Sequence, residues 1–551
     1  MSETGTVNAA EAFVAQLVAG GVRVVFGNPG TTEYAVLDAI DDRDDIELVL
    51  ALHEGVAVSS AIGYARATGE VGVVELHAAP GLGNGMGMMY DAWAGNTPLL
   101  VYVGQTEHSV NYLEPLLSGE LAAMAGPVTK WAYEIRTPDE VPTVVRRALK
   151  VALTPPCGPV MLSLPMDISE HPCRAPVEEP SRVPARTIPD PAAVNAAADL
   201  ILAAQAPIIV PGDSAARAGA VGEISRLAHL TGSPIRGGFL FETAISDGDP
   251  LGAERLNHAG PETKSVLAEH DLVVAVGGKL FRQLFPEAGD QVGPARVVHI
   301  GSDPWELGKN HPSTMVYGDE RLTVAALVRA LEERADAEQK DIWAKRREVA
   351  IRKIELARSA ALGRDRTSWD SDPMTPARAA FEIASGLPED VCVSDESLTT
   401  SAAVARYLTL RPGNWYRGRG GGIGEGLPMA LGIKLARPDQ PVVGLVSDGA
   451  ALYAPTALWT AAHHRIPVVW IVLNNRAYRI LKENAARRRP DSDAGRPSLG
   501  TDLDDPPVDF VELSRSFGVS AERVTDPGLL ADAVRRAFAT NQPALIDVII
   551  A

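Results

Sequence analysis

Cysteine is scarce in this chain of 551 residues: there are three, Cys157, Cys173 and Cys392. Their wide separation excludes a disulfide framework and a cysteine metal cluster, and it fits a reducing compartment. Long apolar runs are missing too, so no segment reaches the length needed to span a bilayer. The first residues, Met1 to Val7, carry Glu3 and lack the basic and apolar regions of a secretion signal. A cytoplasmic protein without membrane contact is expected. Positive charge is in deficit, with 51 Lys+Arg against 70 Asp+Glu and a net charge of −19. Nucleic-acid backbones are bound by clustered cations, so a nucleic-acid partner is not expected. The one basic triplet, Arg487–Arg489, runs into Asp491 and Asp493 and reads as a solvated loop. Several catalytic signatures are absent: no GxxxxGK[ST] loop, no GxGxxG opening a βα unit, no HExxH and no GxSxG.

What is present is an ordinary globular composition, 46% hydrophobic and 22% charged, which excludes wholesale disorder. Short Val- and Leu-rich runs alternate with helical stretches, the rhythm of strands buried on both faces of a parallel sheet. The first block carries strand candidates at Val22–Phe26, Glu47–Leu52, Val71–Leu76, Leu99–Val103 and Val160–Leu164, with helices at Glu54–Thr68 and Val141–Leu153. Pro172 to Pro191 reads as a linker. A second block has strands at Pro207–Val210, Leu272–Val276 and Arg296–Ile300. A charged helical connector follows over Glu332–Ser359, expected as a surface helix between domains. The last block has strands at Val391–Ser394, Val442–Val446, Val468–Leu473 and Ala544–Ile549, with helices at Glu425–Leu435 and Pro455–His464. The fold class is therefore α/β, with three doubly wound parallel-sheet domains at residues 1–175, 190–335 and 376–551, and a connector at 336–375. The polar stretch Asn484–Pro507 is long for a compact loop and reads as a lid or a disordered segment.

Chemistry concentrates at strand ends. Strand Val442–Val446 runs into Ser447-Asp448-Gly449-Ala450, and Asn474-Asn475 ends the next strand, with Asn475 placed 27 positions after Asp448. That is one strand–helix–strand crossover, so both groups fall on the C-terminal edge of neighbouring parallel strands. A carboxylate and an amide oxygen are hard ligands suited to Mg²⁺, and the carbonyl of Ala477 could add a third. Gly449 lets the backbone approach a diphosphate. The bland alternative is a helix-capping Asp followed by a turn Asn-Asn.

In the first block, strand Val22–Phe26 ends in Gly27-Asn28-Pro29-Gly30-Thr31-Thr32-Glu33, a defined turn with a hydroxyl at its tip. Leu48 to Val58 places Glu54 in a strongly apolar context, where a desolvated carboxyl is suited to hold a proton. A helix-start Glu favoured by the dipole is the plain alternative. His53 reads as packing, and His463-His464 as helix surface.

Together these features resemble the cofactor motif of thiamine-diphosphate enzymes, and the resemblance covers essentially the whole chain. Benzoylformate decarboxylase is the subfamily most similar, through Leu76-His77-Ala78-Ala79-Pro80-Gly81-Leu82-Gly83-Asn84, Val128 to Glu134, and Ala457 to Ala462; acetolactate synthase is more distant. The resemblance implies pyrimidine-binding, central and diphosphate-binding domains, with thiamine diphosphate and Mg²⁺ as cofactors. It implies that Glu54 bonds the aminopyrimidine, that Ile423 in Gly421-Gly422-Ile423-Gly424 bends the cofactor, and that Thr399 and Tyr478 anchor the diphosphate beside Asp395-Glu396-Ser397. His77 is implied as a proton-exchanging group and Thr31 as the hydroxyl that grips a substrate carboxylate, in a pocket shared with Leu284 and Ile480. The active unit implied is a homodimer, or a homotetramer built from it.

Four positions depart from the family pattern. Leu398 stands where a hydroxyl is usual, Ser447 where glycine is usual, Ala450 where a small hydroxyl residue is usual, and Leu284 where the decarboxylase has a second histidine. The expected activity is decarboxylation of a 2-oxo acid, with carboligation of acetolactate-synthase type as the alternative. FAD is not expected, since the central block shows no flavin fingerprint. A third reading is a non-catalytic, cofactor-binding regulatory protein on the same scaffold.

Overall fold

The computed structural model describes residues 7–183, 186–238, 245–246, 248–256, 261–279, 291–409, 411–488 and 500–551. The first segment contributes strands β1 (Val7–Asn8), β2 (Val24–Gly27), β3 (Glu47–Leu50), β4 (Gly72–Leu76), β5 (Leu99–Gln105), β6 (Trp131–Glu134), β7 (Val160–Pro165) and β8 (Pro172–Cys173). The middle contributes β9 (Pro207–Pro211), β10 (Leu272–Val276), β11 (Arg296–Gly301) and β12 (Thr314–Tyr317). The last contributes β13 (Cys392–Glu396), β14 (Trp415–Tyr416), β15 (Val442–Ser447), β16 (Val469–Asn474), β17 (Ser520–Val524) and β18 (Ala544–Ile549).

Three parallel sheets result, as the alternating pattern requires. The first runs β3-β2-β4-β5-β7-β6, the second β12-β11-β10-β9, and the third includes β13-β15-β16-β18-β17 in that order. By contact density the chain forms two compact units. One holds Met1–Val183, Ser371–Tyr407 and Gly418–Ala551; the other holds Pro184–Asp370 and Leu408–Arg417. The first and third sheets therefore share a unit.

Small residues allow that sharing. Helix Glu54–Thr68 packs on helix Gly426–Ala436 so closely that a Cβ on Gly63 would lie 2.2 Å from the Met429 carbonyl, and one on Gly432 would lie 1.8 Å from the Ser60 carbonyl. The Ser60 hydroxyl donates to the Pro428 carbonyl at 3.1 Å. A second tie is at the end of β3. The Leu50 N–H donates to His464 Nε2 at 2.9 Å, and the Thr460 hydroxyl donates to the Leu50 carbonyl at 3.1 Å. His464 is thus half-buried and structural rather than free helix surface, and burial, with His463 beside it, lowers its basicity. Asp91 adds a third tie. Wholly buried, it accepts from the backbone N–H of Arg419 at 2.9 Å and lies 3.8 Å from Arg66.

The structure corrects several sequence expectations. The linker starts later than Pro172, because Pro172 and Cys173 pair antiparallel with Asn8 and Val7. The connector is no free interdomain helix. It runs Ala337–Arg366 within the second unit, with Trp343 buried. Arg346 donates to the carbonyls of Thr231 and Ala204, and Arg347 to that of His229. Two of these carbonyls end helix Val221–Thr231, where guanidinium groups satisfy orphan acceptors. Its buried stripe of Trp343, Ile354 and Ala361 is too sparse to register as amphipathic. Strands β6, β12 and β17 were not foreseen, and all three lie at sheet edges, where half-exposed strands lack a continuous apolar run. Helix Arg479–Arg488 takes up the start of the expected lid, whose centre, with Arg489, lies outside the described residues.

Candidate active site

The strand order of the first sheet reverses between β2 and β4, so the turn after β2 and the residues after β4 meet at a switch point. Each of these ends carries a predicted residue. Thr31 is exposed at the tip of a short 3-10 turn, Thr31–Glu33. His77 follows β4 and precedes helix Ala78–Ala94. Its Nδ1 lies 2.8 Å from Glu33 Oε2 and 3.2 Å from the Thr32 hydroxyl, which itself donates to Glu33 Oε1 at 2.5 Å. Glu33 is fully buried and Thr32 nearly so. Neither was singled out from sequence, although both stand in the turn motif. Gly30 explains the turn's need for glycine, since a Cβ there would fall 2.0 Å from His77 Nδ1.

Glu54 opens helix Glu54–Thr68 and is 7% exposed. His53 is not mere packing: it caps this helix, its Nδ1 accepting from the Gly55 N–H at 3.0 Å. Asn84 Nδ2 donates to Glu54 Oε2 at 3.1 Å. The other oxygen lies over Gly81, where a Cβ would come within 3.2 Å of Glu54 Oε1 and 3.5 Å of the His77 Cβ. The carboxyl and the imidazole-bearing residue thus meet across one glycine.

In the third sheet β15 and β16 are neighbours in parallel register, and the adjacent-strand expectation is met. Asp448 is buried, and its Oδ2 accepts from the Ala477 N–H at 3.2 Å. Asn475 Oδ1 accepts from the same N–H at 3.1 Å. Two oxygens on one donor lie close together, an arrangement of hard ligands open to a small divalent cation. The Ala477 carbonyl accepts from Arg479 N–H at 2.9 Å and keeps its second lone pair. Burial raises the Asp448 carboxyl above its ordinary range against the pull of backbone donors. Asn474 has the plainer role: its Nδ2 donates to Asp547 at 2.9 Å and its Oδ1 caps the turn.

The surrounding residues close the site. A Cβ on Gly449 would meet the Tyr478 ring at 2.5 Å, so these two predicted residues are in contact. Tyr478 bonds Tyr453, and burial together with that bond raises its phenol. Tyr453 in turn backs Gly424, whose φ is +99°. Ile423 is half-buried in the turn before helix Gly426–Ala436, not a core residue. Glu396 fixes that turn, accepting from Gly424 N–H at 2.7 Å and Gly426 N–H at 2.6 Å. Burial pushes its carboxyl up to about 7 despite these bonds. Thr399 is half-buried in the 3-10 turn Leu398–Thr400. Ile480 lies in helix Arg479–Arg488, half-buried, and Leu284 lies outside the described residues. Glu396 and Tyr453 were missed as positioning groups, since their partners are a backbone and a ring distant in sequence. Among the described residues no cluster of three or more His, Cys, Asp or Glu side chains could hold a metal ion. Among the described residues no helix is long and apolar enough to cross a membrane.

The chain matches the thiamine pyrophosphate enzyme N-terminal TPP binding domain at residues 7–122, the central domain at 194–327 and the C-terminal TPP binding domain at 399–548. It is similar to benzoylformate decarboxylase of Pseudomonas aeruginosa, 31% identical over 538 residues and covering 96% of each chain. It is also similar to the acetolactate synthase large subunit of Haemophilus influenzae, 27% identical, covering 98% of this chain and 94% of the other. The solved thiamine diphosphate-dependent 4-hydroxybenzoylformate decarboxylase of Rhodococcus jostii RHA1 superposes with a TM-score of 0.83 at 28% identity, covering 99% of both. The chain belongs to the thiamine pyrophosphate enzyme family.

Proposed function

We propose that this thiamine pyrophosphate enzyme is a Mg²⁺-dependent 2-oxo acid decarboxylase of benzoylformate decarboxylase type. The observation that carries the reading is the meeting of Glu54 and His77 across Gly81, with His77 held by the buried Glu33. His77 reaches Gly81 through its Cβ while its ring lies at Gly30 and Glu33, so the carboxyl and the imidazole can hold and hand over protons at two separate points of one site. When bound, thiamine diphosphate supplies a nucleophilic carbon and an electron sink for the release of CO₂. Glu54 would hold its pyrimidine ring by a hydrogen bond. Asp448, Asn475 and the Ala477 carbonyl would hold Mg²⁺, and through it the diphosphate, with Gly449, Thr399 and Tyr478 alongside. Ile423, fixed by Glu396 through the flanking backbone, would shape the cofactor's bend. Thr31 would bind the substrate carboxylate, His77 would deliver a proton to the carbon that loses CO₂, and Ile480 would line the pocket.

Carboligation is the second reading. Leu284 stands in place of a second acid/base histidine, which favours capture by another carbonyl compound over protonation. The reading includes a homodimer or a tetramer built on it, for which the exposed Tyr112, Leu113 and Leu116 offer apolar surface.

Reconstitution tests the proposal. Thiamine diphosphate with Mg²⁺ should restore CO₂ release from a panel of 2-oxo acids that includes benzoylformate and pyruvate. An aldehyde product supports the decarboxylase and a hydroxyketone the ligase. Glu54→Gln should lower turnover by about 100-fold or more while the fold persists. Near-full activity in that variant refutes the role of Glu54, and no turnover on any 2-oxo acid favours a non-catalytic protein.

A further inference from the structure

Behind the Glu33–His77 pair lies an acid that the proposed chemistry does not use. Glu75 stands on β4, in register with Gly27 on β2 and Tyr102 on β5. Paired residues of parallel strands point to the same face, so its side chain shares a face with the phenol of Tyr102. Glu75 is fully buried and Tyr102 almost so, and both Glu75 oxygens and the Tyr102 hydroxyl lack a hydrogen-bond partner. Glycines on the flanking strands make the room. A Cβ on Gly27 would fall 2.4 Å from Glu75 Oε2, and one on Gly104 would fall 1.9 Å from Glu33 Oε1.

The groups that act on Glu75 can be named element by element. The 3-10 turn presents Glu33, β5 presents Tyr102, and the head of helix Glu54–Thr68 presents Glu54. β2 presents only Gly27, and helix Ala9–Ala19 sets Phe13 against Tyr102 at 5.0 Å. The charges felt by Glu75 are thus those of two carboxylates. Glu33 differs, because the Thr32 hydroxyl and the His77 ring both bond it. An anion is tolerated where donors surround it and costly where none do. Of the two acids, Glu75 is the one that keeps a proton.

We propose that Glu75 is a positioning residue: held as a neutral acid, it leaves Glu33 as the anion of the pair, which in turn fixes the His77 ring. The inference rests on the reading of His77 as a proton-transfer group. Burial, with Glu33 and then Glu54 adding to it, pushes the Glu75 carboxyl up to about 9. Once Glu75 ionises, its charge acts on that of Glu33 across the same interior. Glu33 is repelled, and the His77 ring that it fixes is displaced, so proton transfer slows.

Two measurements test this on the full chain. Infrared spectra of cofactor-free protein at neutral pH should contain a carboxylic-acid carbonyl band that disappears in Glu75→Gln and shifts in Tyr102→Phe. The wild-type band should fade as the pH is raised through about 9. If neither substitution alters the acid bands, the proposal is overturned, whatever the enzyme's activity. If Glu75→Gln does not fold, the Tyr102→Phe shift and the wild-type titration decide. On reconstituted enzyme, the ratio of Glu75→Gln to wild-type kcat should rise about fivefold between neutral pH and pH 9.5, because the amide cannot ionise. A ratio constant across that range also overturns the proposal. Absence of thiamine diphosphate-dependent turnover would instead sink the functional reading and leave the infrared result standing on its own.

Discussion

Replacing Glu75 by Gln should change how stability depends on pH, and the size of the change follows from burial. The side chain is fully excluded from solvent, and its carboxyl is pushed from an ordinary 4.5 up to about 9. The folded-state value lies above the unfolded one, so folding takes up a proton between them. The stabilising effect of that uptake is complete below about pH 4.5 and is lost as the pH climbs to about 9. Each pH unit in the window weighs about 1.4 kcal/mol, hence about 6 kcal/mol over the whole of it. Water entering the ionised site would reduce this to a few kcal/mol. Glutamine is neutral throughout. Its buried, unbonded amide costs the same at every pH and cancels from the slope.

Urea unfolding at a series of pH values, following the transition of the unit that holds the first sheet, measures the difference. The midpoint of Glu75→Gln should gain on that of wild type steadily from about pH 5 to about pH 9. The raised acids Glu396 and Glu425 are present in both proteins and drop out of the comparison. Midpoints that run parallel across the window would show that Glu75 is not a buried neutral acid.

Other outcomes follow from the geometry. Gly30→Ala places a methyl 2.0 Å from His77 Nδ1 and must drive the ring off Glu33; turnover should fall about 10- to 100-fold while thiamine diphosphate uptake, read by calorimetry, persists. Asp448→Asn removes the one charged group of the proposed cation site, so Mg²⁺-dependent cofactor uptake should weaken about 100-fold, and chelation of wild type followed by Mg²⁺ should abolish and restore it.

The strand cores and the loops at their C-terminal ends could be read because their causes are local. Val- and Leu-rich runs fix buried parallel strands, and helix Glu54–Thr68 was bounded correctly because a left-handed Gly69 ends it. Asp448 and Asn475 were legible through their spacing, which one crossover unit dictates. What was hidden depends on tertiary placement. Trp343 and the arginines beside it look like a solvated rod until helix Val221–Thr231 supplies carbonyls. Glu33 and Glu75 look like ordinary acids until Gly27 and Gly104 open a space beneath them. Glu396 acts through backbone N–H groups 28 and 30 positions away, which no side-chain motif encodes.

Backbone strain at the site was hidden for the same reason, and it supports a last prediction. Ala78, Leu398 and Arg476 hold φ values of 49°, 46° and 54° although none is glycine. Each adjoins a site residue at the C-terminal end of a strand: His77, Thr399, and the pair Asn475 and Ala477. A left-handed non-glycine residue costs about 1–2 kcal/mol and persists only where its surroundings insist on it. At Arg476 the insistence is visible. Its N–H is bonded to Asn474 Oδ1, and its carbonyl accepts from Leu503 N–H at 2.8 Å. The sharp turn aims the Ala477 N–H at both Asp448 and Asn475. Arg476→Gly would relieve the strain but add about 1 kcal/mol of backbone entropy to the unfolded chain, so the urea midpoint should hardly move. The same freedom loosens the turn in the folded protein, and Mg²⁺-dependent cofactor affinity should drop several-fold. Unchanged affinity would mean that the turn is held by its neighbours alone, and that the strained residue contributes nothing to placing the ligands.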